Sequence, residues 1–217
     1  MSSQPSAHLP IDRYRPLIFY AHIGDMWMPG TREAVDRSAV YAESRGFRVM
    51  GMIQYDILMW HMLGLGAMIN NAIMTGLEAE ADFVATIEND VEIADDTLYR
   101  LACASKPAII PYFDQSPFRE PDHARLRVNW PCPDAGQGIV KIEWAASSFV
   151  MWSREALQMV GPRPYTNACI LHEDEYNWRA WRLQGVRLWQ DTDTVVKLLR
   201  PPTDMRKVAT MCPARGV

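Results

Sequence analysis

Three residues directly after an apolar stretch carry the clearest chemical signal in the chain: Glu88, Asn89 and Asp90 follow DFVATI at 82–87. Two carboxylates at i and i+2 on an extended segment point to the same side. That arrangement suits a hard divalent cation, because Mg²⁺ and Mn²⁺ accept one or two protein carboxylates and take their other oxygens from phosphate and water. The competing reading is an acidic turn opening a solvated run at 91–96. A second acidic group, Glu173, Asp174 and Glu175, falls where a helix should begin. Acids in a first turn favour the helix dipole. Three together also repel one another, a cost that suits proton handling. Asp25 and Asp56 each follow a candidate strand and read equally as exposed turn residues or ligand contacts. The five histidines show neither HxH nor HExxH spacing.

These residues need strands and helices to place them. LIFYA at 17–21, bounded by Pro16 and Gly24, reads as a buried strand. Thr31 is the expected cap of a helix with Val35, Ala39 and Ala42 on one face and Gly46 as its stop. A strand at 47–53, a helix over about 61–79 with Leu65, Ile69, Ala72 and Gly76 on one face, and a strand at 82–87 follow. Alternation of this kind implies right-handed crossovers and a largely parallel sheet with helices on both faces. Ligands of such sheets sit beyond the carboxyl ends of the strands, where Glu88 and Asp90 fall.

The second half is more mixed. A helix at 96–105 capped by Asp95 or Asp96, a strand at 108–112 and a proline-rich loop at 113–138 are expected. Strands at 139–142 and 148–152, a helix capped by Ser153 and stopped by Gly161-Pro162, a helix at 173–184 ending at Gly185, and strands near 186–190 and 194–199 complete the chain. The fold class is α/β: a single Rossmann-type domain whose central sheet is mixed but mainly parallel and flanked by helices. It should occupy 17–200, between a flexible N-terminal arm (1–16) and a basic C-terminal tail (201–217).

Composition bounds the rest. Of 217 residues, 48% are apolar and 22% charged, enough for a real core. A net charge of −4 argues against binding nucleic acid by electrostatics alone, while allowing a local basic groove. The most apolar stretch, 57–69, contains His61 and falls short of the ~20 residues a membrane span needs, so none is expected. Cys103, Cys132, Cys169 and Cys212 form no CxxC pair, which fits reduced thiols rather than a zinc site or disulfide framework. With no signal-peptide features at the start, a cytoplasmic location is the expectation. Eight tryptophans are an excess; Trp152, Trp178, Trp181 and Trp189 sit in helix or strand patterns and read as core or wall.

The stretch 70–101 resembles the central segment of GT-A glycosyltransferases, especially small family-2-type enzymes, including ones predicted in bacteriophage genomes. Asn70 or Asn71, Asp82-Phe83, Glu88-Asn89-Asp90 and Asp96-Thr97-Leu98 stand at the places of that pattern. SSFVMWSREALQMVG at 147–161 is similar to the element lining the acceptor side. HEDEYNWRAWRLQGVRLWQD at 172–191 matches in order through Glu173-Asp174, Glu175-Tyr176, Arg179-Ala180, Gly185 and Leu188-Trp189-Gln190-Asp191. Glu88 replaces the usual first aspartate, and 192–201 lacks the histidine that many relatives place there. One strand–helix unit before the acidic motif is also missing.

The resemblance implies sugar transfer from a nucleotide-diphosphate sugar, of UDP or GDP type, to an acceptor hydroxyl. It assigns Asp90 and Glu88 to Mn²⁺ or Mg²⁺ on the pyrophosphate, and Asp56 and Asp25 to donor contacts. Lys197 or Arg200 would neutralise the pyrophosphate in place of the missing histidine. For an inverting reaction the base is Asp174 first and Glu173 second. The acceptor implied by a phage-like relative is a modified DNA base, a protein or a glycan, in the host cytoplasm. Arg119, Arg125, Arg127 and Trp130 of the long loop could meet it, with Trp130 and Trp144 placed to stack on a sugar or base. Two alternatives stand beside this reading. One is a catalytically inactive nucleotide-sugar or carbohydrate-binding module. The other is a nucleotidyltransferase or nucleotide-sugar hydrolase, although the glycine-rich phosphate loop such enzymes carry is missing after Ala21.

Overall fold

A continuous apolar run is buried on both faces only inside a sheet, and LIFYAHIG goes there. All eight residues of β1 (Leu17–Gly24) are buried, between parallel neighbours β2 (Arg48–Tyr55) and β3 (Phe83–Glu88). The structure, a computed structural model, describes residues 14–25, 28–114, 134–143, 145, 147–165 and 173–199; the side chains of 57–63 and 173–175 fall outside it. The remaining strands are β4 (Val91–Glu92), β5 (Ala108–Asp114), β6 (Ile139–Ile142), β7 (Phe149–Ser153) and β8 (Leu188–Leu198). They form one sheet in the order β2-β1-β3-β7-β5-β8-β4, with β6 also on β8. β1, β2, β3, β5 and β8 run one way; β4, β6 and β7 run against them. The α/β class and the mixed, mainly parallel sheet are therefore as expected.

Five helices flank the described sheet: α1 (Thr31–Ser44), α2 (Ile57–Glu78), α3 (Thr97–Cys103), α4 (Arg154–Val160) and α5 (Glu173–Leu183). Ser153 caps α4 as predicted, its Oγ accepting from the Ala156 N–H at 3.2 Å. Thr31 does not cap α1. Gly30 takes that position at φ 90°, and the Thr31 hydroxyl lies 2.9 Å from the carbonyls of both Met28 and Asn89. Neither Asp95 nor Asp96 caps α3 through its side chain; Ser38 of α1 accepts from the Leu98 N–H at 3.1 Å. A neighbouring helix thus supplies a bond that local sequence was expected to supply. α2 begins earlier than expected and is broken at Gly64, whose φ of 77° is incompatible with a helix.

Two stretches depart further from the sequence reading. The run at 91–96 is not simply solvated: Val91 and Ile93 are buried, and 91–92 pair with β8. The two strands expected near 186–199 are one, because a register shift between Pro111 and Tyr112 absorbs residues 192–194. Asp191 folds that irregularity by accepting from the Asp193 N–H (3.0 Å) and the Thr194 hydroxyl (2.5 Å).

The tryptophans fix α5 to the sheet. Trp152 of β7 stacks on Trp178 with centroids 5.3 Å apart and meets Trp181 edge-on at 4.9 Å. The indole N–H groups of Trp178 and Trp181 donate to the Ala145 and Pro164 carbonyls at 2.9 and 3.1 Å, so two buried polar atoms are satisfied. Asp82 performs a similar tie at the start of β3, accepting from the Leu17 N–H at 2.7 Å.

Candidate functional site

The carboxyl ends of β1, β2 and β3 meet at one edge of the sheet, where the start of β7 and the end of β8 join them. Glu88 closes β3, and its N–H donates to Ser148 before β7 (2.8 Å). The Asn89 N–H donates to Ile23 of β1 (2.8 Å), and the Asp90 carbonyl accepts from Leu199 after β8 (2.8 Å). The Asn89 side chain is buried and donates to the Asp25 carboxylate at 3.3 Å. Each residue of the acidic tripeptide is thereby fastened to a different part of the sheet.

Such fastening leaves no room at Gly24. A Cβ there would lie 2.2 Å from the Asn89 side chain, well inside van der Waals contact. Gly24→Ala should therefore displace Asn89 and destabilise the fold by about 1–3 kcal/mol, measured by chemical denaturation; an unchanged midpoint would contradict the packing described.

The same-side geometry expected of Glu88 and Asp90 needs correction. It assumed an extended chain, whereas β3 ends at Glu88 and residues 89–90 turn. Asp90 is 8% exposed and Glu88 partly exposed. Among the described residues no three His, Cys, Asp or Glu side chains form a metal-binding group. In donor type, Asp90 and Glu88 are the oxygen ligands that Mg²⁺ or Mn²⁺ accepts, and a bound diphosphate would supply the others. Asp25 lies at the same edge through Asn89, and the Asp56 N–H donates to the Gly24 carbonyl at 3.1 Å, placing it beside β1. Lys197 stands near the end of β8, its Nζ 3.6 Å from Glu92 of β4. Glu173 and Asp174 form the first turn of α5, with carboxylates outside the described side chains; His172, Arg200 and the loop residues Arg119, Arg125, Arg127 and Trp130 also lie outside the described residues, as does Trp144.

Sequence reasoning missed a polar group beneath this edge. His22, fully buried in β1, shares a 2.6 Å hydrogen bond through Nδ1 with the hydroxyl of Tyr55, the last residue of β2. Arg32 of α1 binds Asp36 at 2.9 and 3.0 Å, and the Tyr20 hydroxyl donates to Asp36 at 3.2 Å. Tyr20 lies over Gly51, where a Cβ would come within 2.4 Å of its ring. Burial, then the Asp36 charge, pushes Tyr20 up to about 12. A histidine inside an apolar strand was the available signal.

Burial first, and the Arg32 cation second, lower His22 to about 4; Asp36 and the Glu88 backbone act in the opposite sense. The unfolded chain takes up that proton near the ordinary value of about 6.5. Stability is therefore complete above that value and falls as pH drops towards 4, by about 3 kcal/mol from this group. Thermal midpoints across this window should fall more steeply for the wild type than for His22→Gln. Equal slopes would mean that another group dominates.

No family model matches the chain, and no curated protein matches it. Solved structures do. A glycosyltransferase involved in glycosylation of the major capsid of PBCV-1 shares 10% identity over 90% of this chain and 98% of its own, with a TM-score of 0.53. The chain shares the fold of that glycosyltransferase. A protein from STIV (13% identity, 87% of this chain and 96% of its own, TM-score 0.47) is also similar. So is GalNAc-T7 with UDP, GalNAc and Mn²⁺ (10% identity, TM-score 0.46), with 87% of this chain matching 44% of that one. In this shared fold the acidic tripeptide lies at the strand ends, where open α/β sheets bind ligands. No helix among the described residues is long and apolar enough to cross a membrane.

Proposed function

We propose that the chain is a metal-assisted glycosyltransferase that moves a sugar from a nucleotide-diphosphate sugar to an acceptor hydroxyl. One observation carries this reading: in a fold shared with a glycosyltransferase, Glu88 ends the third strand, and Glu88-Asn89-Asp90 is tied to β1, to Ser148 before β7 and to Leu199 after β8. Asp90 and Glu88 would hold Mn²⁺ or Mg²⁺ at the donor diphosphate. When bound, the cation offsets the charge that develops on the leaving group. Asn89 and Asp25 keep the acidic turn in place; Asp56 would contact the nucleotide, and Lys197 would add positive charge near the end of β8.

In the inverting form of the reaction, the acceptor oxygen attacks the anomeric carbon and the bond to the diphosphate oxygen breaks. The acceptor proton passes to Asp174, or to Glu173, and nucleoside diphosphate leaves. A hydroxyl is a poor nucleophile, and a positioned base contributes roughly 10²–10⁴ in rate. The catalytic unit is 17–200, working in the cytoplasm, with 113–138 as the segment that meets the acceptor. A mass-spectrometric screen of UDP- and GDP-sugars against hydroxymethylated DNA, virion proteins and host glycans tests the reading. Metal-dependent sugar transfer to one acceptor class is expected; no transfer or donor breakdown with any pair would contradict it.

A further inference from the structure

The end of the sheet opposite the acidic tripeptide has its own chemistry. There Leu188, the first residue of β8, pairs with Ala108, the first of β5, and with Ile142, the last of β6. Between these strands and the last turn of α5 lies a pocket of about 330 Å³, lined by Lys141, Glu143, Trp178, Arg182 and Arg187 among others. Three basic residues and one acidic residue line it, in a chain whose overall charge is −4. Glu143, one acid against three basic residues, is 78% exposed and stands 3.7 Å from Arg182. Lys106 adds a fourth cation nearby, its Nζ 4.4 Å from the ring centre of Trp189, which is the cross-strand partner of Lys141.

Two exposed apolar side chains lie around the end of α5, next to the pocket-lining Arg182. Leu183, next to Arg182, is 90% exposed, and Met159 of α4 is 54% exposed. A Cβ at Gly185 would lie 3.0 Å from the Met159 methyl, so Met159 and the end of α5 are neighbours. Exposed apolar tips around a cationic pocket match an anionic bilayer better than a nucleic acid. The cations meet lipid phosphate while the tips enter the interfacial layer.

We propose that this face docks on an anionic phospholipid surface, with a lipid phosphate in the Lys141–Arg182–Arg187 pocket and Leu183 and Met159 at the acyl boundary. The proposed transfer site lies at the other end of the strands, so the bound protein would hold it away from the lipid. Docking is independent of the proposed transfer activity.

Vesicle flotation of the full chain tests this, comparing phosphatidylcholine with phosphatidylcholine containing about one-third phosphatidylglycerol. Binding is expected only to the anionic vesicles, and it should weaken with salt. The double variant Arg182→Glu/Arg187→Glu should bind at least about tenfold more weakly, and Leu183→Ser several-fold more weakly. Both should keep the wild-type thermal midpoint. No binding to anionic vesicles, equal binding to both compositions, or unchanged binding by folded variants would overturn the proposal. Stabilisation by inorganic phosphate without vesicle binding would also overturn it, and would reassign the pocket to a soluble phosphate ligand.

Discussion

Asp90→Ala should reduce sugar transfer by at least about 10²-fold and remove the dependence on Mn²⁺ or Mg²⁺. Asp90 is buried in the turn after β3, and its backbone is fixed by Leu199. The substitution therefore removes a carboxylate from a turn whose main-chain ties remain. Glu88→Ala should cost less, because Glu88 ends the strand with a longer and more exposed side chain. The assay is release of nucleoside diphosphate from a responsive donor, with and without divalent cation. Full metal-dependent activity in Asp90→Ala would remove the acidic tripeptide from the mechanism.

Asp174→Asn should leave donor binding intact and lower transfer by roughly 10²–10⁴. Asp174 lies in the first turn of α5, and Trp178 and Trp181 hold that helix to the sheet, so the fold should tolerate the amide. The diagnostic pattern is an unchanged donor affinity with a collapsed turnover number. If Glu173→Gln shows it instead, the base is the neighbouring acid. Loss of donor binding in Asp174→Asn would make the residue a binding group. A retaining reaction needs no such base, and the anomeric configuration of the product distinguishes the two.

The first ninety residues were legible because local and tertiary preferences agree there. The unbroken apolar run of β1 demanded a central position, and the 3.6-residue spacing of Val35 and Ala42 gave α1 its buried face. The acidic tripeptide was legible for the same reason, since whatever follows β3 must emerge at the carboxyl edge. Ends of elements were less so. Ser38 satisfies the Leu98 N–H from another helix, and the Thr31 hydroxyl reaches the Asn89 carbonyl across the site. Both bonds join residues about sixty positions apart, which local rules for capping do not address. The merged β8 was hidden because 191–193 fell between two expected strands, while in the fold Asp191 bends the strand and lets it resume.

The His22–Tyr55 pair was illegible for a related reason. A histidine in an apolar strand signals either a ligand or a satisfied core group, and only the register placing Tyr55 at the end of the adjacent strand identifies its partner. The tryptophan excess resolves in part on physical grounds: Trp152, Trp178 and Trp181 are an aromatic clamp between β7 and α5.

The most direct test of the central claim is thermal denaturation of wild-type protein and Asp90→Ala with UDP- and GDP-sugars, with and without Mn²⁺. The account predicts that one donor class raises the wild-type midpoint by several degrees only when Mn²⁺ is present, and that Asp90→Ala loses this shift. A wild-type midpoint unmoved by every donor with Mn²⁺, or a shift that survives unchanged in Asp90→Ala, would contradict the account.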